Sequence, residues 1–381
     1  MWRKIEPRLL QTVKALGEKP LECVLYAHDF DRLGKYLKGK YDKVKALSFI
    51  RAYVVSVNYD NIFSLSKLNA VKYITEATKV SALVNAANQI LNLTDKSVIP
   101  DSNFSIAVID TGIFPHLDFM VPKKKILKFV DLINNKTVPY DDNGHGTFIS
   151  GAIAGSGTVN PEFVGIDPKS NLVVIKALDK NGETGASTIL EAMQWVSDHK
   201  DEFNIKIVCM SFGSVPLGKN DPLKVGADML WDSGIVVVAA AGNSGPAPET
   251  IRSPGSSHKV ITVGALNDAR VGNRPDYSKF KVADFSSRGP IFNIFKPDVL
   301  ASGVNVNGLN NDVKKGFYTT MSGTSVSTPI VVGVVSCVLK KYPNYTPDQV
   351  KKYLIDSCTA INGDRNSEGF GWIDGAKLNI Y

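Results

Sequence analysis

Cysteine is scarce and scattered. The four cysteines among 381 residues (Cys23, Cys209, Cys337, Cys358) form no Cys-x-x-Cys pair, and each lies in or beside an apolar stretch. This excludes a disulfide scaffold or a cysteine-rich zinc module and reads as buried, reduced thiols. No apolar run reaches membrane-spanning length. The start, Met1-Trp2-Arg3-Lys4-Ile5-Glu6-Pro7, lacks the continuous apolar core of a signal peptide, so a cytoplasmic location is expected. Ile5, Leu9, Leu10, Val13 and Leu16 are instead spaced as one helix face. Long repeats and low-complexity tails are also missing, which excludes solenoids and disordered arms.

What is present describes a globular protein. Hydrophobic residues make up 44% and charged residues 21%, enough for a sizeable core, and the length suits one large domain with a smaller one. The net charge of +7 is uneven. Residues 1–85 hold 15 Lys/Arg against 8 Asp/Glu, which leaves 29 of each sign for the remainder. The basic excess is scattered and carries no nucleic-acid motif. It reads as a solvated face or one complementary to an acidic protein surface, with neither nucleic acid nor membrane as a partner.

The first module reads as short alternating elements. Strands are expected over Leu21–His28, Val44–Ile50, Ala52–Tyr59 and Tyr73–Val80. Helices are expected over Asp31–Tyr41 and over Asn61–Lys72, the latter capped by Asn61. The β-α-β-β-α-β order suggests a small α+β, ferredoxin-like sandwich. Ser81–Ser102 changes character and reads as a linker. Beyond it, apolar runs rich in Val and Ile (104–109, 172–177, 205–210, 235–241, 260–265) alternate with helix-like stretches (147–154, 187–199, 223–233). That pattern is α/β, a mostly parallel sheet covered by helices on both faces, with sites expected at the carboxyl ends of its strands.

Three residues fall at such places. Asp110 ends the first run and opens Asp110-Thr111-Gly112. His145 lies in Asn143-Gly144-His145-Gly146-Thr147, a glycine-flanked turn at a helix start. Ser325 lies in Gly323-Thr324-Ser325-Val326-Ser327-Thr328-Pro329, between a strand-like run (316–321) and a long apolar run (329–339). Ser and Thr are ordinary helix caps, and on that stretch alone capping is the preferred reading. A serine hydroxyl is a weak nucleophile unless a base such as imidazole takes its proton, and a carboxylate can hold that imidazole in the right tautomer.

With these motifs in the order Asp, His, Ser, the chain resembles the subtilisin-type serine proteases, the subtilases. The matching segments are Val108-Ile109-Asp110-Thr111-Gly112, His145-Gly146-Thr147 and Gly323-Thr324-Ser325, and the triad order is that family's own. The resemblance implies a three-layer subtilisin-like domain over 86–381, preceded by an inhibitory propeptide over 1–85. It implies that Ser325 attacks the scissile carbonyl, His145 acts as base and then acid, and Asp110 orients His145. Asn243, in Ala241-Gly242-Asn243-Ser244-Gly245, would share the oxyanion with the Ser325 N–H. Gly182 and Gly185 on one side, and Ser211-Phe212-Gly213 on the other, would bind extended peptide. Self-cleavage would fall near Leu83, Val84, Asn85 and Ala86.

Arg252, in Ile251-Arg252-Ser253-Pro254-Gly255, matches a position that in the family lines the floor of the primary specificity pocket and is usually small. A guanidinium there would favour an acidic side chain before the cut, unless it turns outward or pairs with a protein carboxylate. The absence of an acidic residue near Leu83–Ala86 counts against this reading. Phe148, Val326 and Ile330 depart from the family's usual residues beside the catalytic groups. They keep open an alternative, a catalytically impaired relative that binds peptides or proteases. An esterase is a poorer fit, since Gly-Thr-Ser-Val-Ser is not a Gly-x-Ser-x-Gly elbow. No organic cofactor is implied. Family members often bind calcium through surface loops, but no complete oxygen set is recognisable; Asp141 and Asp142 read as solvated loop acids.

Overall fold

The computed structural model describes residues 4–5, 9, 20–41, 44–47, 51–76, 99–218, 221–269, 276–378 and 380. The chain divides into two compact units, Met1–Ser81 and Ala82–Tyr381. The expected Ile5–Leu16 helix lies mostly outside the described residues, as do most of the linker and the whole Leu83–Ala86 region.

The first unit contains, in order, β1 (Leu21–Ala27), α1 (Phe30–Lys38), β2 (Lys45–Leu47), β3 (Ala52–Val57), α2 (Tyr59–Ser66) and β4 (Val71–Glu76). The strands form one antiparallel sheet in the order β2-β3-β1-β4. Alternation sets its inner face. Cys23, Leu25 and Ala27 of β1 and Val55 and Val57 of β3 pack with Leu33 and Leu37 of α1 and Ile62 and Leu65 of α2. The α2 boundary corrects the sequence reading. The helix begins at Tyr59 and its cap is Asn58, whose side-chain oxygen accepts from the Asn61 N–H at 3.1 Å. It ends at Ser66, not Lys72, because Val71 already pairs with Ala27 in the sheet.

The second unit is built on a ten-stranded sheet. Its strands are β5 (Ser105–Asp110), β6 (Ile126–Asp131), β7 (Asn171–Lys176), β8 (Ile205–Met210), β9 (Val236–Ala240), β10 (Ile261–Asn267), β11 (Lys281–Val282), β12 (Val299–Ser302), β15 (Cys358–Thr359) and β16 (Trp372–Ile373). The order is β15-β16-β12-β10-β9-β8-β5-β7-β6, with β11 beside β10. Pairing is parallel except at β10–β11 and β15–β16. Every residue of β5 and of β9 is buried, as a sheet covered on both faces requires. Helices α3 (His145–Ala154) and α6 (Thr324–Lys341) pack on each other and on the sheet. Helices α4 (Ala186–His199) and α5 (Pro222–Asp232) do the same, while α7 (Pro347–Asp356) packs on α6. A two-stranded hairpin, β13 (Val306–Leu309) with β14 (Tyr318–Met321), leads into α6.

The apolar run at 329–339 is the middle of α6, which is buried from Val326 through Leu339. Helix α6 is apolar and 18 residues long, and 83% of it is buried, which marks it as the core helix of the unit. Cys23, Cys209 and Cys337 are buried and Cys358 is half-buried.

Candidate active site

Parallel pairing places Asp110 at the carboxyl end of β5, opposite Lys176 of β7, while Ile109 faces Met210 of β8. Asp110 is fully buried, and its Oδ1 accepts from the Thr111 N–H at 2.7 Å and lies 2.8 Å from His145 Nδ1. His145 is the first residue of α3. Gly144 precedes it at φ +107, a left-handed conformation that glycine adopts freely. Gly146 permits the close approach: a Cβ there would lie 3.0 Å from the Gly112 nitrogen and 3.2 Å from Asp110 Cβ. The imidazole remains 23% exposed. Burial opposes its protonation, but the Asp110 carboxylate outweighs that and holds the ring above its usual pKa, with Asp141 acting in the same direction.

Ser325 occupies the first turn of α6, but not as its cap. Gly323 takes the cap position and no side chain caps the helix. The capping reading of this stretch is therefore corrected. Ser325 is half-buried, and its N–H is among the first-turn donors that have no partner within the helix. Thr324 ties the helix start to the end of β9. Its N–H and its hydroxyl both donate to Asn243 Oδ1 at 2.9 Å, and the hydroxyl oxygen accepts from the Gly242 N–H at 3.1 Å. With Oδ1 so occupied, the Asn243 NH2 is turned toward the serine. A Cβ on Gly323 would lie 3.0 Å from Ser325 Oγ and 3.2 Å from Asn243 Nδ2. The Gly323 N–H donates to the Gly303 carbonyl, just beyond β12. Among the described residues no hydrogen bond joins Ser325 Oγ to the imidazole, a contact that often tightens only with substrate present.

Comparison with known proteins shows the family of the chain. Residues 101–372 match the Subtilase family, peptidase S8. Over 344 residues the chain is 38% identical to Serine protease AprX of Bacillus subtilis (strain 168), covering 84% of this chain and 75% of that protein. The chain belongs to the subtilase family. Subtilisin DY of Bacillus licheniformis is 32% identical over 276 residues, covering 72% of this chain and 89% of that one. The solved S41 psychrophilic protease superposes with a TM-score of 0.65 at 27% identity, over 78% of this chain and 99% of that one. The protein is a serine endopeptidase of subtilisin type, acting on polypeptides, and its second unit has the subtilisin-like fold expected from the motifs.

In this subtilase the residues expected to bind extended peptide lie in the loop after β8 and the turn before α4. Gly213 follows β8, and no described backbone hydrogen bond uses its N–H or carbonyl. Ser211, two residues before it, is buried, and Phe212 packs partly into the core. Gly182 sits in the turn between Asp179 and Glu183, and Gly185 caps α4. Asn143 Nδ2 donates to the Lys180 carbonyl at 3.0 Å and so links that turn to the His145 loop. Arg252 is half-buried beside Asn243, its stem against Gly213 and Gly242, where a Cβ would lie 2.6 Å from its Cβ and 2.5 Å from its Cγ. Its Nη2 donates to Ser244 Oγ at 2.8 Å, and among the described residues no carboxylate pairs with it. The three departures from the family pattern are core residues: Phe148, Val326 and Ile330 are at most 2% exposed.

The reading of Asp141 as a solvated acid is overturned, whereas Asp142 is exposed as expected. Asp141 is 6% exposed and accepts five hydrogen bonds. Asp142 accepts at 2.7 Å from Lys176 Nζ, itself fully buried and donating also to the Thr111 and Leu178 carbonyls. This pair does not fit a calcium ion, since donors already surround Asp141 and an ammonium sits on Asp142. Among the described residues no group of three or more His, Cys, Asp or Glu could hold a metal ion. Sequence reading placed Thr111 and Thr324 only as motif members, without their supporting roles, and did not single out Lys176.

Proposed function

We propose that this subtilase cleaves peptide bonds through Ser325, His145 and Asp110 and is made as a self-processing zymogen. In this reading Ser325 Oγ bonds to the scissile carbonyl carbon while its proton passes to His145 Nε2. The C–N bond then breaks as that proton moves to the leaving amine, giving an acyl-enzyme. A water, deprotonated by the same imidazole, releases the acid and restores the serine. Asp110 keeps Nδ1 protonated and stabilises the imidazolium. The Asn243 NH2 and Ser325 N–H receive the oxyanion. Extended substrate lies between the Gly182–Gly185 edge and the Ser211–Gly213 edge. The chemistry needs no organic cofactor.

The observation that carries this reading is the Asp110–His145 bond at 2.8 Å, with Asn243 fixed beside Ser325 through Thr324. Residues 1–85 serve in it as an inhibitory propeptide, and 86–381 as the catalytic domain. The test is intact mass after expression, wild type beside Ser325→Ala. Cleavage near Leu83–Ala86 in wild type only is the expected result. If both chains stay whole and a fluorophosphonate does not label Ser325, an impaired, peptide-binding subtilase is the better reading.

Arg252 gives that substrate a side-chain preference. Its guanidinium, without a carboxylate partner among the described residues and next to the Asn243 turn, supports a preference for Asp or Glu before the cut. A peptide library cut equally well after Ala, Leu and Glu overturns it.

A further inference from the structure

We infer that Asp141 is a positioning residue of this active site, a carboxylate that fixes the turn carrying Asp110 to the helix start carrying His145. The inference rests on the catalytic reading of Asp110 and His145. Asp141 Oδ1 accepts from the Thr111 hydroxyl at 2.9 Å, the Asn143 N–H at 3.1 Å and the Gly144 N–H at 2.9 Å. Its Oδ2 accepts from the Thr147 N–H at 2.9 Å and the Thr147 hydroxyl at 2.7 Å. Five donors and no acceptor surround the group, so it is an anion held by neutral dipoles.

These five bonds reach both sides of the dyad. Thr111 directly follows Asp110 and gives it its N–H; Gly144 and Thr147 flank His145. The bonds share atoms with the rest of the turn. Thr111 Oγ1 accepts from the Gly146 N–H at 2.8 Å, and Thr147 Oγ1 accepts from the Phe114 N–H at 2.9 Å. Oδ1 thus joins the two sides directly, and Oδ2 joins them through Thr147, whose hydroxyl also holds Phe114; small displacements of a catalytic pair cost rate steeply. The charged groups facing this turn are Asp110 on β5, Lys176 on β7, and Asp142 with His145 on the loop and α3. Lys176 is bound to Asp142, which leaves Asp141 the second anion felt by the imidazole.

The test uses the full chain, with active sites counted by fluorophosphonate labelling and a soluble peptide substrate. Asp141→Asn keeps the size and the Oδ1 contacts but puts an NH2 against the two Thr147 donors. We expect kcat per labelled site to fall about tenfold to a hundredfold, with KM within about twofold. The acidic limb of kcat/KM should move to lower pH, because a negative charge near His145 is gone. Thr147→Val keeps the charge and removes one leg of the clamp, so its kcat should fall with the limb in place. It carries the test alone if Asp141→Asn does not fold. Unchanged kcat per labelled site in the folded variants, with an unmoved limb in Asp141→Asn, overturns the assignment alone. A wild type that neither labels nor cleaves overturns the catalytic reading and this assignment with it.

Discussion

Around Asp110 and His145 the supporting groups are ionised: Asp141 takes five donors and Lys176 is bound to Asp142. The groups that hold Ser325 and Asn243 are neutral, and the nearby Arg252 guanidinium donates to Ser244 Oγ instead. Thr324 holds the amide, and Gly323 is tied by its backbone to Gly303. The difference follows from what each half must do in the proposed mechanism. The imidazole becomes a cation, and buried carboxylates nearby stabilise it at low local dielectric. The oxyanion would be repelled by the same carboxylates, so dipoles with fixed donors suit that side. Breaking the charged half should therefore change both rate and pH dependence. Breaking the neutral half should change rate alone.

The largest expected effect tests the charged half directly. Asp110→Asn should lower kcat by about 10⁴-fold, since an amide no longer holds the Nδ1–H tautomer. Asn243→Ala should cost roughly 10²–10³-fold, a magnitude known from subtilisin itself, with KM little changed and the acidic limb where it was. A limb that moves equally in both variants would erase the contrast between the halves. Steady-state kinetics between pH 5 and 10 on labelled sites measures both.

The raised pKa of His145 also has a consequence for stability, opposite in sign to that for activity. A histidine whose folded pKa lies above its ordinary 6.5 stabilises the fold fully below that value. The contribution is lost as pH rises through the folded pKa. Activity needs the neutral ring and rises over the same window. Thermal scans of Ser325→Ala, which cannot digest itself in the proposed mechanism, should show a melting temperature that declines with pH just above 6.5. Asp110→Asn in that background should flatten the decline. A melting temperature independent of pH in both would show that the ion pair adds nothing to the fold.

Much of this was legible in the sequence because it is local. Buried strands announce themselves by uninterrupted Val and Ile, and β8 was located at its full extent, Ile205–Met210. The segments carrying Asp110, His145 and Ser325 each hold their chemistry within a few residues. The supports are not local. Thr111 and Asp141 lie 30 positions apart, Lys176 and Thr111 lie 65 apart, and Thr324 and Asn243 lie 81 apart. Periodicity carries no information about such pairs. Asp141 did carry one local sign, an acid two and three residues before Asn143-Gly144, the pattern of a side chain accepting from the next turn's N–H groups. Composition favoured solvent for two adjacent acids, which holds for Asp142 but not for Asp141, whose contact with the distant Thr111 could not be seen. The capping reading of Ser325 failed for a related reason. Gly323 already turns the chain, which leaves the Thr324 hydroxyl free to reach Asn243.

The smallest expected effect lies in the neutral half, at Thr324. Its hydroxyl donates to Asn243 Oδ1 and accepts from the Gly242 N–H, while its backbone N–H donates to the same Oδ1. Thr324→Val keeps the backbone bond and the side-chain shape but removes the hydroxyl. One of two restraints on the amide then remains, and the half-buried Gly242 N–H loses its partner. The expected cost is about 1 kcal/mol of stability and about tenfold in kcat, as the NH2 spends less time toward the oxyanion. Thr324→Ser restores the hydroxyl and should recover most of the rate. Because no charge changes, neither variant should move the acidic limb. If Thr324→Val matches wild type while Asn243→Ala is impaired, the backbone N–H alone orients the amide, and the neutral half is held by the helix start itself.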